Sequence, residues 1–422
     1  MTVTFDSREP AYLQEKDTRD ELARVFDVCN GCRRCVDRCT VFPTMFTLIE
    51  RHEDRDAGRM TPAEQDAVVD PCFDCGRCAE ACPYAPGRSE LAIDVPRLVI
   101  RARAMRRRHG QVGLRELAAE ASGRRAERLG GRMPAVANLV VGARPGSLRR
   151  RLAATLGGQP STRMLPPYAR TRFTTWFRRR PPRPAGADST QVALFPTCMV
   201  EHHAPEIGRD LVGVLDRQGI ECSLAGSTGC CGASLLHAGD LERFAEVVDD
   251  RVRALAADVR AGRTLMVAQP TCALVIRREY PAHCSPERRD DAELVAAHAV
   301  EATEHLAGLL ASGALDTSFD GDAPERVVYH LACHARALGP SRPGVDLLRA
   351  TGAVVHVAEG CAGPIGAPPV VGAELGSELA SVAADVVVGD CHLANTAILE
   401  RTGRSALHPV QVLARAYGMD PG

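Results

Sequence analysis

The stretch CNGCRRCVDRC at residues 29–39 and the stretch CFDCGRCAEACP at residues 72–83 share one cysteine spacing, Cys-x2-Cys-x2-Cys-x3-Cys. This spacing is typical of proteins that bind two [4Fe–4S] clusters. In such proteins the first three cysteines of a run bind one cluster, and the fourth cysteine binds the other. The pattern predicts one cluster bound by Cys29, Cys32, Cys35 and Cys82, and a second bound by Cys72, Cys75, Cys78 and Cys39.

Structural zinc and disulfide bonds are the alternatives for these cysteines. Four-cysteine zinc sites favour paired Cys-x2-Cys units, whereas each run here continues to a third and a fourth cysteine. The N-terminus has no signal-peptide pattern, and no apolar run approaches the roughly 20 residues that span a bilayer. We therefore expect a cytoplasmic protein, in which disulfides are rare. The first run departs from the usual pattern at Thr40, where proline normally follows the fourth cysteine.

The 422 residues suggest two to four domains, and the net charge of −1 hides a strongly basic segment. Residues 101–183 contain 21 arginines and three acids, and the segment ends in an aromatic stretch, FTTWFRRR, at 173–180. One interpretation is an amphipathic element that lies on a membrane surface or docks a membrane subunit. The other is a helical connector whose arginines are solvated or pair with acids of neighbouring domains. Nucleic acid is not expected as a partner, because no binding motif accompanies the charge.

Beyond residue 190, apolar strands alternate with amphipathic helices, which indicates an α/β unit with a mostly parallel sheet. Residues 192–195 and 264–268 are predicted strands, and the periodicity of Ile207, Leu211 and Val214 predicts a helix. Three cysteine-bearing landmarks then occur twice in the same order, which indicates duplication of one domain around a pseudo-twofold axis. They are FPTC at 195–198 and HLAC at 330–333, GCCG at 229–232 and GCAG at 360–363, and QPTCAL at 269–274 and VGDCHL at 388–393.

Adjacent cysteines can face one metal site only in a tight turn, and the glycines at 229 and 232 tolerate the backbone angles of such a turn. The first repeat therefore offers a candidate third centre, and the alternative is a group of buried free cysteines. We expect Cys222 and Cys284 to be core residues and His202 and His203 to have surface or packing roles. The candidate ligands of this third centre are Cys198, Cys230, Cys231 and Cys272.

The second repeat retains three cysteines, Cys333, Cys361 and Cys391. Three thiolates and one imidazole can bind zinc or a cluster, but an eroded site without metal is an equally open interpretation. The histidines that would complete such a set are His330, His334 and His392.

Together these motifs, with EYP at 279–281 and the closing His408-Pro409, resemble the cysteine-rich, or CCG, domain family of iron–sulfur oxidoreductases. The family includes the iron–sulfur subunits of anaerobic glycerol-3-phosphate dehydrogenases, the fused iron–sulfur and CCG subunits of heterodisulfide reductases, and the iron–sulfur subunits of lactate utilisation. The resemblance implies electron transfer, in which a flavin subunit oxidises a small metabolite and the iron–sulfur subunit passes single electrons onward.

The resemblance also implies which residues are missing. In the heterodisulfide reductase type, five thiolates of a CCG domain bind one unusual [4Fe–4S] cluster. Val275 replaces the last thiol of the first set, while Ala362 and Ala394 replace two in the second. A five-thiolate cluster is therefore not expected in either repeat, which leaves an ordinary cluster, zinc or no metal.

We therefore predict a multidomain α plus α/β protein that acts as the electron-transfer subunit of an oxidoreductase complex. It would relay single electrons from a flavin dehydrogenase or other redox partner to an acceptor such as quinone, in the cytoplasm or at the inner face of the membrane. A reductase with its active-site metal in the CCG region and a redox-responsive scaffold are the alternatives. Neither flavin nor NAD is expected on this chain, which has no Gly-x-Gly-x-x-Gly motif after a strand. Arginines in the cysteine loops, Arg33, Arg34, Arg38 and Arg77, either raise the cluster potentials or form a solvated face.

The predicted domains follow from these motifs. They are an α-helical ferredoxin domain with two [4Fe–4S] clusters at 1–100, an arginine-rich helical connector at 101–190, a first CCG repeat at 191–312 and a second at 323–422.

Overall fold

Helices build the N-terminal part of the chain, and two parallel sheets build the C-terminal part. The computed structural model describes residues 7–39, 41–114, 130–141, 164–181, 191–363 and 371–419, together with 117, 120, 147, 148, 150 and 151. Thr40 and much of the predicted connector lie outside the described residues. The chain divides into two units. Unit 1 comprises Met1–Val112, Gly232–Val248 and Ala282–Ser285, and unit 2 comprises Gly113–Cys231, Asp249–Pro281 and Pro286–Gly422.

Five helices precede the connector, and their ends follow local sequence signals. The first helix has two acids in its first turn, and their negative charges interact favourably with the positive end of the helix dipole. It ends where Arg33 adopts a left-handed conformation with φ 54°. The third helix begins with a capping box between Thr61 and Glu64. The helices are α1 (Glu15–Cys32), α2 (Val41–Ile49), α3 (Pro62–Val69), α4 (Arg77–Ala81) and α5 (Val95–Arg108).

The core of this helical region also contacts the cysteine loops. Leu22, Phe26, Phe42 and Leu98 are buried in one apolar cluster. The same cluster includes buried Cys78, and five partly buried cysteines pack against it, so the thiols lie at the edge of a packed core. The five are Cys29, Cys35, Cys39, Cys72 and Cys82.

Helix α5 continues eight residues past residue 100, at which the sequence analysis places a domain boundary. Its arginines belong to the fold of unit 1. Arg101 is 1% exposed and its Nε donates to the Tyr12 carbonyl at 2.8 Å. Arg103 pairs with Asp74 at 2.7 Å and Arg106 with Asp70 at 2.6 Å. This part of the basic segment therefore pairs with acids and carbonyl oxygens of unit 1.

The described part of the connector includes the short helices α6 (Pro134–Val141) and α7 (Phe173–Arg179). Leu139 on α6 is exposed. Phe173 is fully buried, and Trp176 and Phe177 pack against the core of unit 2, so the predicted aromatic stretch stabilises that unit. No helix within the described ranges is both long and apolar enough to cross a membrane.

Two four-stranded parallel sheets follow with the same topology, as the sequence repeat predicts. Their strand orders are β2-β1-β3-β4 and β6-β5-β7-β8, and the central strands β1 and β5 are almost entirely buried. The strands are β1 (Gln191–Phe195), β2 (Glu221–Leu224), β3 (Thr264–Val267), β4 (Ala299–Glu301), β5 (Arg326–His330), β6 (Val354–Ala358), β7 (Val386–Gly389) and β8 (Ala406–Leu407).

Helices connect these strands. In the first repeat they are α8 (Thr197–His202), α9 (Pro205–Arg217), α10 (Ala233–His237), α11 (Leu241–Arg260), α12 (Pro270–Arg278), α13 (Tyr280–His283), α14 (Arg289–His298) and α15 (Ala302–Ala311). In the second they are α16 (Cys333–Leu338), α17 (Pro343–Ala350), α18 (Ala373–Ser381), α19 (His392–Thr402) and α20 (Pro409–Ala416).

The helices of unit 2 pack reciprocally across the two repeats. Helix α9, near the start of the first repeat, packs against α20 at the end of the second, and α17 packs against α15 in the same way. Leu211 and Leu215 of α9 share one buried cluster with Val410 and Leu413 of α20. This reciprocal packing is what a pseudo-twofold arrangement of the repeats requires.

Candidate metal centres

The first predicted set of ligands lines one cavity. Cys29 and Cys32 lie on the last turn of α1, three residues apart and so on one face of the helix. Cys35 follows in the loop, and Cys82 comes from the distant second run, directly after α4. All four cysteines line one pocket whose other walls include Phe42, Tyr84 and Ile93.

The second predicted set gathers around Cys78. Cys78 is 9% exposed, and the groups that interact electrostatically with its thiol include Cys72, Cys75 and Cys39. The loop between Cys72 and α4 contains two left-handed residues, Asp74 at φ 51° and Gly76 at φ 73°. These turns reverse the chain within the cysteine run, which brings its three thiols together.

Burial and crowding raise the pKa values of these thiols. Burial, followed by the nearby thiols of Cys82, Cys35 and Cys32, raises the pKa of Cys29 to about 12. Burial likewise raises the pKa of Cys35 to about 11. The pKa of Cys72 and that of Cys78 lie well above their usual range for the same first reason. With these raised pKa values, the grouped thiols stay protonated unless a cation binds them as thiolates. The irons of an iron–sulfur cluster bind thiolates in this way, so the residues fit such a cluster.

The arginines of the cysteine loops are placed unequally. Arg34 lines the cavity of the first set, and Arg38 interacts with the Cys35 thiol. Arg33 instead donates to Glu50 at 2.8 Å and lies over the Phe46 ring. Arg77 begins α4.

An ion pair that the sequence analysis missed holds the second loop. Asp74 is 7% exposed, and Arg103 Nη1 donates to its Oδ2 at 2.7 Å. Arg103 Nη2 donates to the Cys72 carbonyl at 2.6 Å and to the Val69 carbonyl at 3.2 Å. The sequence shows Asp74 between two cysteines and Arg103 outside both runs, but it does not show that the fold pairs them.

The first CCG repeat brings three thiols together. Cys231 is 2% exposed, and its thiol is hydrogen-bonded to those of Cys230 and Cys272, which raises its pKa well above the usual range. The turn has the glycine geometry that the sequence predicts, with φ 122° at Gly229 and 88° at Gly232. Cys198 lies in the first turn of α8.

Two further side chains fix the backbone of this turn. The fully buried Tyr280 donates its hydroxyl to the Cys231 carbonyl at 3.1 Å. Arg251 donates its Nε to the Cys230 carbonyl at 2.6 Å. The tyrosine of the EYP motif therefore has a structural role at this turn. The sequence gave no indication that Arg251 shares this role.

The second repeat uses its polar residues differently. His330 Nε2 donates to the Gly360 carbonyl at 3.1 Å, and His334 Nδ1 lies 2.8 Å from the Thr271 hydroxyl of the first repeat. The Thr271 hydroxyl also contacts the buried thiol of Cys391. Cys333 begins α16, and Cys361 follows Gly360 in the loop after β6.

Other predicted residues have packing roles. Cys222 and Cys284 are buried, as expected for core residues. His203 hydrogen-bonds the Pro167 carbonyl at 2.9 Å and stacks against Tyr168. The thiol of Cys230 interacts electrostatically with His202.

Among the residues that the structure describes, no three cysteine, histidine or carboxylate groups converge on one point suitable for a single metal ion. A [4Fe–4S] cluster does not require this, because each of its four irons takes one thiolate. The arrangement around a cavity therefore suits a cluster better than zinc.

Comparison with known proteins agrees with this chemistry. Residues 22–109 match the Citrate utilization protein B Fer4-like domain, and residues 192–277 match the CCG Cysteine-rich domain. The chain thus contains a Fer4-like domain and a CCG domain, and both domains support binding of an iron–sulfur cluster.

The similar proteins include subunits of a dehydrogenase and of a reductase, and a lactate utilization protein. The chain is 29% identical over 270 residues to the C subunit of anaerobic glycerol-3-phosphate dehydrogenase from Escherichia coli K12, covering 60% of this chain and 66% of that protein. It is 30% identical over 162 residues to lactate utilization protein A of Geobacillus kaustophilus, covering 37% of this chain and 64% of that protein. The B subunit of fumarate reductase (CoM/CoB) from Methanothermobacter marburgensis is 25% identical over 145 residues, which is 34% of this chain and 26% of that protein. The chain is homologous to the first two, and the match spans just under two thirds of either one.

Proposed function

We propose that this protein is the iron–sulfur electron-transfer subunit of an oxidoreductase complex. The observation that carries the proposal is the cavity lined by Cys29, Cys32, Cys35 and Cys82, since three ligands come from one run and the fourth from the other. A bound [4Fe–4S] cluster stores one electron with little rearrangement. The electrons would come from a flavin dehydrogenase or another redox partner and continue to an acceptor such as quinone.

The crossed ligation is part of this proposal. It assigns Cys72, Cys75, Cys78 and Cys39 to the second cluster, and the interaction of Cys78 with the other three thiols supports that assignment. Most thiols of the two sets pack against one apolar core, and helix ends and short loops present them, which restricts rearrangement around the bound group.

A third centre in the first CCG repeat would use Cys198, Cys230, Cys231 and Cys272. The hydrogen bonds among the thiols of Cys230, Cys231 and Cys272 support a shared site for a cluster or zinc. We consider Cys333, Cys361 and Cys391 a weaker set, because His330 and His334 are hydrogen-bonded elsewhere through one nitrogen each.

The place of action follows from the connector. Exposed Leu114, Leu139 and Leu148 accompany its arginines, and this combination suits attachment to the inner face of the membrane or to a membrane subunit. We therefore propose a cytoplasmic protein at the membrane periphery, with no role in nucleic-acid binding.

Metal analysis of the full chain tests the central proposal. Protein purified without oxygen should contain roughly eight irons in its N-terminal clusters. On reduction, its electron paramagnetic resonance spectrum should show two magnetically coupled centres. A preparation fully occupied by zinc, with little iron, would contradict the proposal.

Two alternative functions predict different behaviour. A CCG-centred reductase would turn over substrate as an isolated chain, and the turnover would depend on Cys231. A redox-responsive scaffold would change its affinity for a partner when the clusters are lost. Single-electron transfer from reduced methyl viologen to a soluble quinone, abolished by loss of either N-terminal cluster, supports the relay over both.

A further inference from the structure

The charged side chains that act most strongly on the two N-terminal cysteine sets differ in sign. At the first set, the charged side chains with the strongest influence on Cys29, Cys35 and Cys82 are arginines. They are Arg24, Arg38 and Arg88, respectively. Asp94 opposes Arg88 at Cys82, but its influence is weaker.

At the second set, the dominant charge is a carboxylate. Asp74 lies between Cys72 and Cys75 in the sequence, and its Oδ1 is 3.8 Å from Cys72 Sγ. Arg103 binds the opposite carboxylate oxygen, and its influence on the Cys72 thiol is smaller than that of Asp74. Asp74 therefore places a carboxylate directly beside this thiol.

The burial of Asp74 also favours a lower reduction potential for the second set. The side chain of Asp74 is 3% exposed and that of Arg103 is 14% exposed, so water screens this carboxylate poorly. Arg38 is exposed, whereas Arg88 donates to the carbonyls of Glu80 and Cys82 at 2.8 and 3.0 Å. Reduction adds one negative charge to a cluster, so nearby arginines favour it and a buried carboxylate opposes it.

We propose that the centre held by Cys72, Cys75, Cys78 and Cys39 has the lower reduction potential of the two, and that Asp74, positioned by Arg103, sets this order. The proposal rests on the proposed function, because it requires both clusters. It gives the relay a direction: an electron that leaves the second set for the first moves to higher potential, with no proton or bond exchanged.

A redox titration of the full chain, followed by electron paramagnetic resonance, tests the proposal. The wild-type protein should show two one-electron transitions. The spectra of Cys29→Ser and Cys72→Ser assign each transition to its set. If the lower transition belongs to the set containing Cys29, the proposal is wrong.

The Asp74→Asn variant tests the residue itself. The lower transition should move upward, so that the ratio of reduced to oxidised cluster at the wild-type midpoint rises about tenfold, equivalent to 59 mV for one electron. The upper transition should not move. Asp74→Glu, which retains the charge, should restore a potential near that of the wild type.

Two control variants separate charge from structure. Asp70→Asn removes a nearby carboxylate whose side chain is 60% exposed, and it should leave both transitions unchanged. Arg38→Gln removes a cation that acts on the Cys35 thiol, so it should shift only the upper transition, downward; because Arg38 is exposed, this shift should be smaller than that of Asp74→Asn. An equal shift in Asp70→Asn and Asp74→Asn, or no shift in Asp74→Asn with iron retained, would overturn the role of Asp74.

The iron content shows whether a negative result contradicts the proposed function or only the proposed order of reduction potentials. Absence of iron from the wild-type chain contradicts the proposed function. Full iron content with the reverse order of potentials contradicts only this inference. If Asp74→Asn loses the second cluster, the wild-type order and Arg38→Gln still decide whether the field differs as proposed.

Discussion

Arg103 should be the residue whose loss most weakens the loop of the second cysteine set. Its guanidinium pairs with Asp74 and donates to the carbonyls of Cys72 and Val69, and it also donates to the His237 carbonyl at 2.9 Å. Replacing it by glutamine leaves a buried carboxylate without its guanidinium. Removal of one partner from a buried ion pair typically costs about 3–5 kcal/mol.

The matched control is Arg106→Gln on the same helix. Arg106 pairs with Asp70 at a similar distance of 2.6 Å, but the Asp70 side chain is 60% exposed. Exposed pairs contribute about 0–1 kcal/mol. The two variants therefore remove the same kind of side chain from the same helix, and they differ in the burial of the acid and in the carbonyl hydrogen bonds of Arg103.

Hydrogen exchange measured by mass spectrometry is the suitable assay, because a chain with several domains has no single unfolding free energy. Amides of residues 72–81 should exchange much faster in Arg103→Gln than in Arg106→Gln. The double variant Asp74→Asn/Arg103→Gln should recover part of the loss, with a coupling of about 0.5–3 kcal/mol. Strictly additive effects, or equal exchange in the two single variants, would refute the reasoning.

The crossed ligation predicts that Cys39→Ser damages the same cluster as Cys72→Ser, so their spectra should look alike; a spectrum that matches Cys29→Ser instead would overturn the assignment. For the third centre, Cys231→Ala should lose metal beyond the roughly eight N-terminal irons, and Cys361→Ala should lose little or none. Metal that survives Cys231→Ala but disappears in Cys361→Ala would place the site in the second repeat. Burial, followed by the charge of Asp390, raises the pKa of Glu301 from 4.5 to about 8, so the folded state holds a proton that the unfolded state releases. Stability should therefore fall between about pH 4.5 and 8, by up to about 1.4 kcal/mol per pH unit, and the melting temperature of Glu301→Gln should depend less on pH; equal pH dependence in both proteins would contradict this.

The secondary structure of unit 2 could be predicted because its signals are local. The apolar spacing of Ile207, Leu211 and Val214 identified α9, and the buried run at 192–195 identified β1. The sequence predicted two similar units but not the order of their strands. The pairing of β1 with both β2 and β3 depends on contacts between residues that are distant in the sequence.

The candidate site was only partly accessible to sequence reasoning. Cysteine spacing identified the candidate ligands, because the spacing itself reflects the geometry of a cluster. The basic segment did not reveal that Arg101 and Arg103 belong to the helical region, where they bind carbonyl oxygens and Asp74. Charge counts record composition, whereas the partners of each guanidinium depend on the tertiary fold.

The two repeats share a topology, but the residue before the last landmark cysteine makes different contacts in each. Thr271 precedes Cys272 in the first repeat, and Asp390 precedes Cys391 in the second. The Thr271 hydroxyl contacts His334 and Cys391 of the other repeat.

Asp390 instead accepts a hydrogen bond from buried Tyr329 and interacts electrostatically with Glu301 of the first repeat. The cysteine loops of the second repeat thus supply polar contacts between the repeats, and the first repeat keeps its thiols next to one another. The repeats therefore share their sheets but not the grouping of their thiols, which is why we expect the third centre in the first repeat.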